Sequence, residues 1–476
     1  MHKILSKTLI ILGLSLALTA CNSGSTPVNS QPANAPSGGL ATLPVNTAIS
    51  LPTKTSLPPT AMVVTPTLPA TAAAVGPTQL PPPPAGLPEA VLPASQPLSR
   101  LVAFAWNNLG MHCYQADYSQ LLILPPYNVL CTQVVSRGDE PRITTNGLTA
   151  KYYLPQESAP AAHTNFWDYV AAYGWNLLSG IGLTGKGITG TLDAAADHFI
   201  ATGVPVVDVN DDGVWDPYPF FVVQVQDNTG NTLVETVNVA PASTEMSCYL
   251  CHIASDTQGV FASILHAHDS LSNTGLVQLA TDGKPILCNS CHADPAMGVT
   301  QNKDSQTTLS GAMHTFHADK LTASQVPPNA CQACHPGPQT QCLRDVMASQ
   351  GITCTDCHGG MSEVGDPART PWVNLPTCSS CHTQALTKST STHIENPNQV
   401  LTQAAEALYQ NSKAHGGGGI YCPACHGSPH AIYPTITARD NEQSIRLQGH
   451  AGPIVECEVC HTERPEEAFW HIGGGD

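Results

Sequence analysis

The sequence predicts two unlike folded parts behind a leader and a spacer. Residues 100–244 read as a β-rich domain, and residues 245–476 as a domain of short α-helices and loops with little sheet. Three observations carry this reading. β-Branched residues alternate around turn residues in the first part. One five-residue Cys/His pattern recurs seven times in the second. Proline and threonine fill the stretch ahead of both, where no core can form.

Residues 1–20 form an export leader. His2, Lys3 and Lys7 make a mildly basic start, and the apolar run from Thr8 to Ala20 is too short to span a bilayer. The run ends in Leu18-Thr19-Ala20-Cys21, which resembles the lipobox of bacterial lipoproteins. The resemblance implies cleavage before Cys21 and lipid on that residue, a tether to a membrane surface without a spanning helix. An ordinary cleaved signal with an incidental Cys21 is the alternative. Asn22 stands where enteric lipoproteins held at the inner membrane carry Asp, which favours the outer membrane or cell surface.

Residues 21–99 are the spacer. From Asn22 to Ser99 the chain carries 17 of its 41 prolines and only two charges, Lys54 and Glu89. Such a stretch lacks donors and dihedral freedom for regular ladders, so an extended, semi-rigid stalk with no fold of its own is expected.

In the β-rich part, Phe220 to Gln226 and Thr232 to Val239 flank Asp227-Asn228-Thr229-Gly230 and predict a hairpin. Phe166 to Leu178 predicts a short aromatic-rich helix, and Ser179 to Gly190 a loop. The run Asp208-Val209-Asn210-Asp211-Asp212-Gly213 resembles calcium loops, in which alternate carboxylates converge on one hard cation. Asp208, Asn210, Asp212 and Asp216 are the candidate ligands for one calcium ion. Pro219 stands where such loops place a bidentate Glu, and an acidic turn needing no ion is the competing reading.

Acidic residues outnumber basic ones by 35 to 18, for a formal net charge of -17, which argues against nucleic acid as a partner. The unusual counts are 18 Cys and 20 His, so chemistry is sought there. Cys-x-x-Cys-His occurs at Cys248/Cys251/His252, Cys288/Cys291/His292, Cys331/Cys334/His335 and Cys354/Cys357/His358. It recurs at Cys378/Cys381/His382, Cys422/Cys425/His426 and Cys457/Cys460/His461. The spacing is that of c-type haem attachment: two thiols add to the haem vinyls and the adjacent imidazole reaches the iron. Zinc sites do not demand the added His each time, and dithiol enzymes normally carry one such motif. The chain therefore reads as a multihaem cytochrome with seven c-type haems.

Seven haems leave roughly 33 residues each, too few for an ordinary core, so the haems are expected to be the core. The second axial ligand is sought among the remaining histidines. His268, His314, His317, His393, His415, His430 and His450 are the candidates, with His266, His471 and His112 as further imidazoles. His314 and His317 share a helix face and are placed to serve two neighbouring haems. Of His266 and His268, the second is preferred. Met246, Met313, Met347 and Met361 are alternatives that would raise a haem's potential. Outside the motifs and Cys21, Cys113, Cys131 and Cys342 remain; in an oxidising compartment Cys113 pairs with either Cys131 or Cys342.

The stretches Trp106 to Cys113 (WNNLGMHC), Leu122 to Asn128 (LILPPYN) and Cys425 to Ala431 (CHGSPHA), with the seven motifs, resemble bacterial cell-surface multihaem c-type cytochromes. The resemblance covers roughly residues 101 to 465. It implies electron transfer at or beyond the envelope, with other redox proteins as donor or acceptor and a mineral or soluble terminal acceptor. A multihaem oxidoreductase of the nitrite, hydroxylamine or tetrathionate type would need one open iron. None of the seven motifs departs from CxxCH to mark one. A subunit of a cytochrome filament is a third reading, which lipidation disfavours.

Overall fold

The computed structural model describes residues 86–252, 259–303, 305, 307–321, 330–376, 378, 381, 407–408 and 419–465. The leader, Cys21, most of the spacer, and His382, His393, His415 and His471 lie outside the described residues.

Two antiparallel sheets form a sandwich. In the first, the strands run Leu101–Asn107, Asn128–Ser136, Phe199–Val204 and Asp193–Ala194 in spatial order, with Arg142–Ile143 also against the second of them. In the other the order is Thr232–Val239, Phe220–Gln226, Thr149–Tyr153 and Thr189–Thr191. The hairpin forms over the expected residues. Asp227 closes its turn by accepting from the amides of Thr229 and Asn231 at 2.8 and 3.0 Å.

Successive side chains on a strand face opposite ways. Leu101, Ala103 and Ala105 therefore join Leu130, Val134 and Ala201 against Tyr152, Phe221, Val223 and Val225 of the second sheet. Val102, Phe104 and Trp106 face the other way, with Val129, Cys131 and Val135, onto Tyr421, Ala424 and Val459. Those last three stand in or beside the sixth and seventh Cys/His motifs. A strand apolar at nearly every position needs cover on both faces, and the motif-bearing half supplies it. The expected boundary at 244/245 is thus no boundary in space: the two parts belong to one compact unit. A short parallel pairing, Leu121–Leu122 with Ile286–Leu287, sews them further, and His112–Cys113 pairs with Ala242–Ser243 just before the junction.

The spacer also ends earlier than expected. Residues 86–99 form no regular element but lie as a strap on the fold. Leu87, Ala90 and Leu92 pack against Met111, Tyr218, Phe220 and Val239. Arg439 donates to the Pro88 carbonyl, and Arg446 to that of Pro93 at 2.8 Å. The aromatic helix is shorter than expected, Phe166–Tyr169. Gly174, at φ +87°, turns the chain back so that the Trp175 amide bonds the Val170 carbonyl, a Schellman-type stop. Phe166 and Trp175 then close an aromatic cluster with Tyr118 and Tyr173.

From residue 245 onward the helices include Gly259–Ser272, Leu276–Thr281 and Leu309–His317, and several single turns. The buried apolar side chains described there are mostly alanines, with Leu265, Tyr421, Tyr433 and Val459. Polar contacts hold the halves where apolar ones are sparse. The buried Arg344 binds both oxygens of Asp440 at 2.6 and 2.8 Å and donates to the Gly110 carbonyl at 2.9 Å. Gly110, at φ +72°, lets the Pro429 carbonyl occupy the space a Cβ would fill.

Candidate functional site

Each described motif is one helical turn. The His252, His292, His335 and His461 amides return to the carbonyls of Cys248, Cys288, Cys331 and Cys457 at 2.9, 3.2, 3.0 and 2.8 Å. The fourth and sixth motifs are the helices Cys354–His358 and Cys422–His426. One turn brings residues i, i+3 and i+4 to one face, so both thiols and the imidazole address the same space.

Four motif histidines face a second imidazole. Ring centres lie 6.4 Å apart for His252 and His317, 6.4 Å for His292 and His268, 6.0 Å for His335 and His314, and 6.1 Å for His358 and His430. An imidazole nitrogen sits about 2.0–2.1 Å from a first-row metal and roughly 1.1 Å from its ring centre, so two rings trans on one ion are centred about 6.2–6.4 Å apart. The gap between each pair has the width of one iron with two axial imidazoles. Each second imidazole was a sequence candidate. The helix Leu309–His317 presents His314 and His317 to different motifs, as their spacing of three allows, and of His266 and His268 it is the latter that faces a motif.

The outer nitrogens of these rings are held. His314 Nδ1 is 2.7 Å from the Ser310 carbonyl, His317 Nδ1 is 2.6 Å from that of Met313, and His292 Nδ1 is 2.9 Å from that of Thr307. Donation from Nδ1 to a carbonyl fixes the tautomer that leaves the Nε2 lone pair free for a metal. Burial is the main cause holding His335 and His358 down to about 4, aided by neighbouring histidines, and it also lowers His252 and His314. His430 differs. Burial opposes its charge, but Cys342, 3.7 Å from its Nδ1, with Asp345 and Cys354, raises it to about 9. An oriented imidazole on each side of a metal-wide gap, beside two thiols, is the donor set that covalent haem requires.

The motifs lie close together. The Cys248 thiol of the first motif hydrogen-bonds Cys334 of the third, and Cys331 of the third hydrogen-bonds Cys354 of the fourth. Cys357 neighbours Cys381 of the fifth, and Cys425 of the sixth neighbours Cys460 of the seventh.

Cys251 is exposed, and Cys291 is half-buried like Cys288, its sulfur 3.8 Å from the Ser290 hydroxyl. Both cap short 3₁₀ turns, Ser247–Leu250 and Cys288–Ser290.

Two expectations are corrected. First, among the described residues His450 faces no motif histidine: Gly449, at φ +86°, ends the helix Glu442–Gln448 and leaves the His450 ring exposed, 3.5 Å from Glu456. Second, the calcium candidates are committed elsewhere. Asp208 accepts from the Tyr114 hydroxyl and from the Thr244 amide and hydroxyl at 3.0 and 2.9 Å. Asn210 accepts the Asp212 and Val214 amides at 3.1 and 2.9 Å, and Asp216 holds Arg439 through both oxygens at 2.7 and 2.8 Å. Asp212 points to solvent. The loop is an acidic turn, and among the described residues no three His, Cys, Asp or Glu side chains converge on a cation position.

Sequence reasoning missed the partners of the outer nitrogens. The carbonyls carry no signal, since every residue has one. Cys342 did carry one, as a cysteine outside every motif. The chain matches no family model, no curated protein and no solved structure.

Proposed function

We propose that the chain is an electron-transfer protein with seven covalently bound c-type haems, exported and held by lipid on Cys21 at a bacterial outer membrane or cell surface. The four imidazole pairs carry this reading, because their 6.0–6.4 Å separations suit an iron with both axial positions filled. Haem supplies an iron that exchanges one electron at a time. The chain's own residues do the rest. Cys248 with Cys251, Cys288 with Cys291, Cys331 with Cys334 and Cys354 with Cys357 anchor the first four groups. Cys378 with Cys381, Cys422 with Cys425 and Cys457 with Cys460 anchor the others. His252, His292, His335 and His358, with His317, His268, His314 and His430, close the axial positions to other ligands. A filled iron transfers electrons and does not bind substrate, which favours a conduit between redox proteins, and on to a mineral or soluble acceptor, over an oxidoreductase.

The test is electron paramagnetic resonance of the oxidised, haem-loaded protein, with a pyridine haemochrome count and carbon monoxide added after reduction. Seven low-spin haems indifferent to carbon monoxide are expected. Absence of covalent haem overturns the reading, and one high-spin haem that binds carbon monoxide replaces the conduit with an oxidoreductase.

A further inference from the structure

The fold sorts the three cysteines that stand outside the haem motifs. Cys131 lies on the strand Asn128–Ser136, on the face packed against Tyr421 and Val459. Cys113 lies on the two-residue strand paired with Ala242–Ser243, and the segment bearing Cys342 is docked on that pair. Ser243 Oγ, opposite Cys113, is 3.1 Å from Thr340 Oγ1. Met111 and Cys342 share one apolar cluster. Arg344 Nη1 donates to both the Gly110 carbonyl at 2.9 Å and the Cys342 carbonyl at 3.2 Å. Burial pushes the Cys113 thiol up, and the neighbouring Cys342 adds to the rise. Both are half-buried thiols in this structure.

We propose that Cys113 and Cys342 form a disulfide that ties the sandwich to the motif-bearing half directly behind His430. The pair loses two protons and two electrons as the S–S bond forms. A protein disulfide of the exported compartment, of the thiol-exchange class, takes the electrons and becomes a dithiol. Formation belongs to folding, before the two sulfurs are covered. The loop closed is long, so the constraint on the unfolded chain is large.

The bond has a second consequence, which rests on the haem reading. Cys342 Sγ stands 3.7 Å from His430 Nδ1, on the side away from His358. The partner of an outer imidazole nitrogen sets how much electron density the ligand gives its metal. A thiol there can donate a hydrogen bond to Nδ1 and a disulfide sulfur can only accept one, so the state of the pair sets the potential of the haem between His358 and His430.

The full-length, haem-loaded protein is alkylated with iodoacetamide in denaturant without reductant, digested and mapped by mass spectrometry. A linked Cys113/Cys342 peptide and an alkylated Cys131 are expected. Alkylation of Cys113 and Cys342, or a link from either to Cys131, overturns the proposal. Optical redox titration of Cys113→Ser and Cys342→Ser then reads the second consequence. A shift confined to one haem, the same one in both variants, is expected, and no shift in either removes the coupling to His430. A chain without haem would fail the titration and leave the peptide map unaffected, so the two readings fail separately.

Discussion

The sandwich and the motif-bearing half bury different things. In the sandwich, Phe221, Val223, Tyr152 and Leu130 are close to fully buried and interdigitate between two sheets. Each large apolar side chain so buried stabilises by about 1.5–3 kcal/mol, enough for the sheets to hold themselves. Around the first four motifs the buried apolar residues described are chiefly alanines and Leu265, and what meets there instead is imidazole facing imidazole. The sixth and seventh motifs are intermediate, since Tyr421, Ala424 and Val459 lean on the first sheet. One half carries its core in its sequence, and the other leaves room for a core to be added.

The largest break in this comparison is to withhold the addition. A chain made without covalent haem should keep slow amide exchange in Leu101–Asn107, Asn128–Ser136 and Phe220–Gln226. The helices Gly259–Ser272 and Leu309–His317 should exchange at rates near those of an unfolded chain. Equal protection in both halves, read by hydrogen exchange and mass spectrometry, would refute the claim that only one half is self-sufficient.

The next largest effect lies at the join. Arg344 is fully buried, paired with Asp440, and stacked with its guanidinium 4.8 Å from the centre of the Tyr218 ring. Removing one partner of a buried pair leaves the other charge uncompensated and typically costs about 3–5 kcal/mol. Arg344→Met should therefore lower stability by that amount in urea unfolding of the haem-loaded protein. A loss under about 1 kcal/mol would mean that the pair only marks the join and does not hold it.

What the sequence made legible follows the same division. The hairpin was readable because alternation and an Asp/Asn/Gly turn are local signals. Leu101–Asn107 was not read as a strand, because cover on both faces erases the alternation that reveals one. His314 and His317 were readable as a pair of ligands because three residues on a helix fix a shared face. The depth of each thiol was not readable: Cys248 and Cys251 are equivalent in the motif, and only the packing around the turn makes one inner and one outer. The pairing of His358 with His430 is set by Arg344, Gly110 and Pro429, contacts between segments distant in the chain that no spacing encodes. His450 misled because its small neighbours suggested room, whereas Gly449 takes the left-handed turn that sends the ring outward.

A smaller effect sharpens the view of the sandwich end next to the acidic turn. Glu157 is buried with neither carboxylate oxygen hydrogen-bonded. Burial first, then Asp216, hold its carboxyl well above the usual 4.5. Folding thus binds a proton, and stability is greatest below the unfolded value and falls as pH rises above it. Glu157→Gln removes that dependence, so its advantage over the parent chain should be smallest at pH 4.5 and grow as pH rises toward 7. A constant difference across that range would show that the carboxyl is ionised in the fold.

The smallest predicted effect runs in the opposite direction along pH. His112 is buried beside the join, with Nε2 3.0 Å from Asn108 Oδ1, and burial pushes it down to about 3. It stays neutral in the fold and takes up a proton when unfolded, near its ordinary 6.5. Its contribution is fully present above pH 6.5 and is lost as pH falls toward 3. His112→Gln keeps a donor for Asn108 and cannot be protonated. Between pH 7.5 and pH 5 the variant should lose about 2 kcal/mol less stability than the parent chain, measured by urea unfolding at each pH. Equal losses would place the acid sensitivity in the motif-bearing half. The sandwich, with its own apolar core, would then be indifferent to acid, and the contrast between the halves would be wider than burial alone makes it.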